Sequence, residues 1–265
     1  MNDQGAGGRG WRFARAVTRR PGSDAAAGLR ARDAGNPDPV RMVEHHGAYV
    51  AALREAGVAV TELPPAPGFP DAQFVEDTAL CLPEGVVLMR PGAPSRMGEV
   101  DAIAPVLAGL FPAVRRIVGP GHVEAGDILW TGREVLVGLS ARTDAAGVEE
   151  LRAILAPWGH ALRVVQTPPG VLHFKTDCSL LGPGTVLSTA RLAASGCFAG
   201  YDVVIVPEGE EAAANLIRVN HLVLMAQGFP RTAAMLRDAG YEVRELPNSE
   251  CALIDGGMSC LSLRF

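Results

Sequence analysis

Asp77-Thr78-Ala79-Leu80-Cys81-Leu82, then Pro83-Glu84-Gly85, then Val86-Val87-Leu88-Met89-Arg90 reads as an apolar run, a tight turn and a second apolar run. The order returns at Asp127-Ile128-Leu129-Trp130, Thr131-Gly132-Arg133 and Glu134-Val135-Leu136-Val137-Gly138. It returns again at Asp177-Cys178-Ser179-Leu180-Leu181, Gly182-Pro183-Gly184 and Thr185-Val186-Leu187-Ser188. The leading aspartates stand 50 residues apart both times. Each unit predicts a hairpin, and a fixed period of this length is the mark of a repeat architecture.

Working outward, residues 95–110 carry Met97, Val100, Ile103, Val106, Leu107 and Leu110 at helical spacing. Asp144 is placed to cap a helix with Val148, Leu151, Ile154 and Leu155 on one face. Short strands are expected after these helices, over 114–118 and 161–165. A degenerate copy begins at Asn215, with a helix over 230–239 and a strand over 241–246. The last copy is expected to be split, with 251–254 and 259–265 joining an N-terminal strand over 13–18 and a helix over 39–56. Units that cannot bury their faces alone stack on neighbours, and ring closure removes exposed edges. The fold class is therefore α/β, a ring of about five strand–strand–helix–strand units around a central axis.

Composition narrows the function. The chain has 265 residues, 48% hydrophobic and 20% charged, with net charge −5. Such a balance suits a globular protein with a large core and does not favour a nucleic-acid partner. Lys175 is the single lysine, so no lysine patch tracks a phosphate backbone. Residues 1–10 are polar and glycine-rich, expected as a flexible tail without the apolar segment of a secretion signal. No apolar run long enough to span a membrane occurs. Five cysteines, an odd number, argue for reduced thiols in a cytoplasmic setting.

The ring brings equivalent positions of each unit together at its axis. Glu124 lies just before Asp127 and His173 just before Asp177, both expected at the start of an inner strand. Cys260 follows a Gly256-Gly257 turn. Cys, His and Glu supply a nucleophile, a general acid/base and an orienting carboxylate. A thiolate needs a cationic neighbour to be populated at neutral pH, which His173 or a cationic substrate could provide. Asp71, Glu76 and Asp77, in an apolar setting, suit a planar guanidinium. Arg96 and Arg142 are placed to bind the carboxylate of an amino acid. No Cys-x-x-Cys, His-Glu-x-x-His, phosphate-binding loop or dinucleotide fingerprint is present, so no metal and no cofactor are expected.

Phe74-Val75-Glu76-Asp77, Gly121-His122-x-Glu124-x-Gly126-Asp127, the His173 segment, Asn248-Ser249-Glu250 and Ile254-Asp255-Gly256-Gly257-x-Ser259-Cys260 resemble the dimethylarginine dimethylaminohydrolases. These belong to the guanidine-modifying superfamily with the five-bladed α/β propeller, or pentein, fold. The resemblance runs from about residue 13 to 265. It implies residues 11–265 as a single catalytic domain acting on a small-molecule methylated arginine through a covalent cysteine intermediate. It implies Cys260 as nucleophile, His173 as general acid and base, and Glu124 as its partner. Glu76 and Asp77 would hold the guanidinium with Asp71 in support, and Arg96 and Arg142 the substrate carboxylate. Leu29 and Ile254 would offer backbone carbonyls to the α-amino group, and Phe74 would line an entrance flap. Phe174-Lys175-Thr176 departs from the more usual Leu-Lys-Ser, which puts the polar contact at Thr176 in question. An arginine deiminase or amidinotransferase-like activity and a non-catalytic pentein are the competing readings. Edge faces of such a ring could also pair two copies into a homodimer.

Overall fold

The computed structural model describes residues 10–265; the expected tail lies outside the described residues from 1 to 9. β1 (Arg15–Arg19), α1 (Pro39–Glu55) and β2 (Ala59–Leu63) form a parallel β–α–β unit. α1 starts where the sequence provides for it, with Pro39 in the first turn and the Asp38 carboxylate accepting from the Val40 and Arg41 N–H groups. β3 (Ala79–Leu82), β4 (Gly85–Leu88), α2 (Met97–Ala108) and β5 (Val114–Arg116) follow. β6 (Ile128–Trp130), β7 (Val135–Leu139), α3 (Ala145–Leu155) and β8 (Leu162–Gln166) repeat the arrangement. So do β9 (Cys178–Gly182), β10 (Thr185–Ser188), α4 (Ala190–Ala193) and β11 (Asp202–Ile205). The next copy is β12 (Ile217–Val219), β13 (Leu222–Ala226), α5 (Pro230–Asp238) and β14 (Glu242–Leu246). After α6 (Ser249–Ala252), β15 (Leu263–Arg264) pairs antiparallel with β1 and completes the split copy.

The described residues thus form five three-stranded sheets. In each, the inner strand is antiparallel to the middle one and the outer strand is parallel to it, with a helix crossing between. A single 3-10 turn introduces each inner strand: Val75–Thr78, Ala125–Asp127, Phe174–Thr176, Glu211–Ala214 and Ser259–Leu261. The first four turns pack in succession and the last packs on the first, while Asn215, just after the fourth, accepts the Ser259 N–H of the fifth. The result is a five-bladed α/β propeller.

Apolar side chains fill the wedges between blades. Alternate residues of one strand face opposite wedges: Ala79 and Cys81 join the cluster containing Val17 and Leu263, while Leu80 and Leu82 join the one containing Ile128 and Leu151. Both faces of the middle strands are covered, so Val86-Val87-Leu88 is continuously apolar instead of alternating.

The structure corrects two expectations. Residues 251–254 were read as strand, but α6 and the turn after it occupy this stretch, with the Gly256 N–H closing onto the Cys251 carbonyl at 2.8 Å. The Asn248 side chain donates to the Gly256 carbonyl at 2.9 Å and holds that turn. Glu124 and His173 do not open inner strands; each caps the 3-10 turn before one. The outer strands β2 and β11 lie outside the helical and hairpin patterns of the sequence, and α4 is a single turn.

Gly121 and Gly147 mark where the segment leading into the second blade crosses the start of α3. A Cβ on Gly121 would lie 2.1 Å from the Gly147 nitrogen, and one on Gly147 would lie 2.4 Å from the His122 carbonyl oxygen. Neither backbone can yield without moving the Glu124 segment. Gly121→Ala is expected to cost at least ~1–3 kcal/mol, as overpacking of a filled interior does, and to lower the Tm in thermal denaturation. An unchanged Tm would show that the crossing has slack.

Candidate active site

One end of the axial channel opens into a cavity of about 180 Å³. Leu29, Asp71, Phe74, Asp77, Arg96, Arg142, His173, Ile254 and Cys260 line it, so four of the five blades and the loop before α1 contribute. Glu124 lies immediately behind His173, fully buried, and its Oε2 is 2.6 Å from His173 Nε2. The Gly92 N–H donates to Glu124 Oε1 at 2.9 Å and Arg142 Nη1 at 3.2 Å, so the buried carboxylate has partners for its charge. The Thr176 hydroxyl accepts the His173 N–H at 3.2 Å; the polar contact there is kept despite the extra methyl.

Asp77 stands between these groups. Its Oδ2 accepts from Arg96 at 2.5 Å, and its Oδ1 accepts the Gly126 N–H at 3.0 Å and lies 4.0 Å from His173 Nε2. Gly126 is required here, because a Cβ would sit 2.5 Å from Asp77 Oδ1 and 3.0 Å from the imidazole. Burial alone would raise the Asp77 carboxyl, but His173 and Arg96 overcome it and hold the group at about 2. Burial likewise pushes His173 down, yet Asp77 and the Glu124 hydrogen bond raise it to about 9. The resting imidazole is therefore charged. Cys260 is pushed up to about 12, by burial first and then by the Glu76 and Asp77 carboxylates. The resting thiol is neutral.

Several expected residues take more specific places. Asp71 accepts the Leu29 N–H at 3.0 Å and so supports the loop at the cavity mouth. Arg96 is buried, and its guanidinium donates to Asp77, to both oxygens of Glu99 and to the Phe74 carbonyl. Arg142 keeps about a fifth of its side chain exposed. Glu76 does not line this cavity. It turns into the channel on the other side, where Oε1 accepts from Lys175 at 2.7 Å and Arg264 at 2.9 Å. The expected pairing of Glu76 with Asp77 around one guanidinium is thus not present in this geometry, because Glu76 does not line the cavity that Asp77 enters.

Sequence reading passed over Lys175, Arg264, Glu99 and Asp255. Lys175 was visible only as the single lysine. Asp255 holds a left-handed backbone, φ 59°, and its carboxylate accepts the Ala31 N–H at 2.5 Å across the cavity mouth. Asp77, Glu124 and His173 present three potential metal-ligand atoms within 4.8 Å of one another. Arg96, Arg142 and the imidazolium already compensate those carboxylates.

An arginine deiminase family model matches residues 63–169. The N(G),N(G)-dimethylarginine dimethylaminohydrolase of Pseudomonas aeruginosa is 40% identical over 254 residues, 96% of this chain and 100% of that protein. The chain belongs to the dimethylarginine dimethylaminohydrolase family. The Streptomyces coelicolor member is 34% identical over 94% of this chain and 96% of its own length. A crystal structure of a cysteine-to-serine variant of the Pseudomonas enzyme with citrulline superposes at a TM-score of 0.93, with 39% identity over 96% of this chain and all of that one. The N-terminal domain of a cyanobacterial arginine dihydrolase, 24% identical over 95% of this chain and 97% of that chain, has a TM-score of 0.84 and shares the fold. No helix among the described residues is long and apolar enough to cross a membrane.

Glu124→Gln removes a carboxylate that sustains the charged imidazole. The His173 pKa is expected to fall from about 9, as NMR titration of its ring resonances would show. A raised folded-state pKa stabilises the fold fully below the ordinary value near ~6.5 and loses that contribution as pH rises through about 9. The variant is therefore expected to have a smaller decline in Tm across that window than the wild type.

Proposed function

We propose that this chain hydrolyses Nω-methylated L-arginine to L-citrulline and methylamine or dimethylamine through a covalent intermediate on Cys260. The observation that carries the reading is a cavity in which Cys260, a charged His173 backed by Glu124, and a permanently anionic Asp77 converge. The neighbouring family members support it. The cysteine-to-serine variant of the Pseudomonas enzyme holds citrulline, and a histidine-to-glycine variant of a dimethylarginine dimethylaminohydrolase forms an adduct with S-methyl-L-thiocitrulline.

The guanidinium lies against Asp77, which keeps it cationic and its carbon electrophilic. Leu29 and Ile254 at the mouth offer backbone carbonyls to the α-ammonium, and Phe74 lines the entrance beside them. Arg142 binds the α-carboxylate, Arg96 stays engaged by Asp77 and Glu99 instead of taking that carboxylate as expected, and Asp71 fixes the Leu29 loop. The substrate's positive charge drives Cys260 to ionise in a site that otherwise favours the thiol, and the released proton leaves to solvent. The thiolate adds to the guanidinium carbon to give a tetrahedral adduct. His173, already protonated, gives its proton to the departing amine as the carbon–nitrogen bond breaks, leaving an S-alkylthiouronium. Neutral His173 then takes a proton from water as the oxygen adds, and collapse of the second adduct expels the thiolate with citrulline. The imidazolium is restored, the hydroxyl proton of the second adduct returns the thiolate to the thiol, and the proton first released ends on the departed amine, which leaves as its ammonium.

Purified protein incubated with asymmetric dimethylarginine and a metal chelator is expected to release citrulline and dimethylamine in equal amounts, and Cys260→Ser to release neither. His173→Gln is expected to lower kcat by ~10²–10⁴-fold, the usual worth of a positioned proton-transfer group. Ammonia released from unmethylated arginine, without dimethylamine, would transfer the assignment to the deiminase chemistry that the match over residues 63–169 brings to mind. Iodoacetamide labelling of Cys260 without substrate is expected to have no plateau at neutral pH and to climb through the alkaline range toward about 12. A plateau near neutrality would mean that the resting enzyme already holds a thiolate.

A further inference from the structure

Asn215 follows the Glu211–Ala214 turn at the axis of the fourth blade and is only 9% exposed. Its Oδ1 accepts the Ser259 N–H at 2.9 Å. A backbone N–H can only donate, so this bond fixes the carboxamide with its oxygen on Ser259 and its nitrogen toward Cys260. Nδ2 then stands 4.0 Å from Cys260 Sγ. The Gly257 N–H donates to the same sulfur at 3.4 Å. Gly257 leaves room for this arrangement, since a Cβ there would lie 2.3 Å from the Asn215 carboxamide. Asn215 is not among the residues lining the substrate cavity; it approaches the sulfur from behind.

We propose that Asn215 Nδ2 and the Gly257 N–H form a two-donor cradle for the Cys260 thiolate, making Asn215 a catalytic residue contributed by the fourth blade. This rests on the reading of Cys260 as nucleophile. The sulfur must carry negative charge twice in the cycle, once before it attacks the guanidinium carbon and once when it leaves the second adduct. Nearby carboxylates oppose that charge both times. Two neutral N–H donors bind a thiolate better than a thiol or a thioether sulfur, so they favour the charged states selectively. A long contact on a neutral sulfur is expected to shorten once the charge develops.

A purely structural Asn215 would only brace Ser259, and two variants separate the roles. Asn215→Asp keeps the shape and the acceptor for Ser259 but loses the donor; Asn215→Ala loses both. If the cradle exists, both lower kcat by about ten- to a hundredfold, the worth of one hydrogen bond to a charged acceptor, with KM little changed. In both, the pH dependence of Cys260 alkylation moves to higher pH, furthest in Asn215→Asp, where a carboxylate faces the sulfur. Citrulline binding and the Tm report whether each variant is folded. A folded Asn215→Asp with wild-type kcat and alkylation profile, beside an inactive Cys260→Ser, overturns the cradle and leaves the nucleophile assignment standing. Turnover by Cys260→Ser would instead overturn the nucleophile reading, and the cradle with it.

Discussion

Buried side-chain oxygens that accept the backbone N–H of a neighbouring turn link three of the five blade junctions at the axis. Asp77 accepts from Gly126, Asp127 from Phe174 at 2.8 Å, and Asn215 from Ser259. Each bond joins two different blades. A hydrogen bond to a charged acceptor contributes ~1.5–3 kcal/mol, and losing its partner in a dry interior costs more. The wedges of apolar side chains bring the blades together, but such packing is not directional. These bonds set the turn-to-turn register, and every reactive group sits on or beside one of the turns.

The same bonds explain how so many charges coexist in a small volume. Asp77 is at once a link between blades and the anion that raises His173, and its second oxygen is held by Arg96. Arg96 is held in turn by Glu99, whose carboxyl burial raises to about 7 despite the guanidinium. Glu124 is held by backbone N–H groups, Arg142 and His173. No member of the chain is buried alone. A charge removed from one end therefore perturbs the others, because the low-polarity surroundings screen little.

The fold was legible because the repeat carries the same acid, turn and strand signals at equal spacing, and because His173 and Glu124 fall at matching phases of it, with Cys260 inside the corresponding turn of the last blade. What stayed hidden depended on direction and packing. Glu76 and Asp77 are adjacent, and adjacent residues of a tight turn point apart: one carboxylate enters the cavity and the other the opposite channel. Arg264 reads as an ordinary strand residue, yet it is half-buried and donates to Glu76 and to the Ser259 and Ser262 carbonyls. Asn215 replaces the repeated aspartate's function without its charge, a substitution that only the bond to Ser259 reveals. The stretch 251–254 is apolar enough for a strand, and only the closure of Gly256 onto Cys251 shows that it coils.

The pairing of β15 with β1 gives the propeller a seam, the one sheet whose strands come from distant parts of the chain. Cys260 is carried by the segment that leads directly into that seam. The other four blades can each form from contiguous sequence, and none of them holds the thiol. Placement of the Cys260 sulfur is consequently a report on closure: a molecule whose first and last strands have parted would keep most of its sheet structure and lose the cavity wall that carries this thiol.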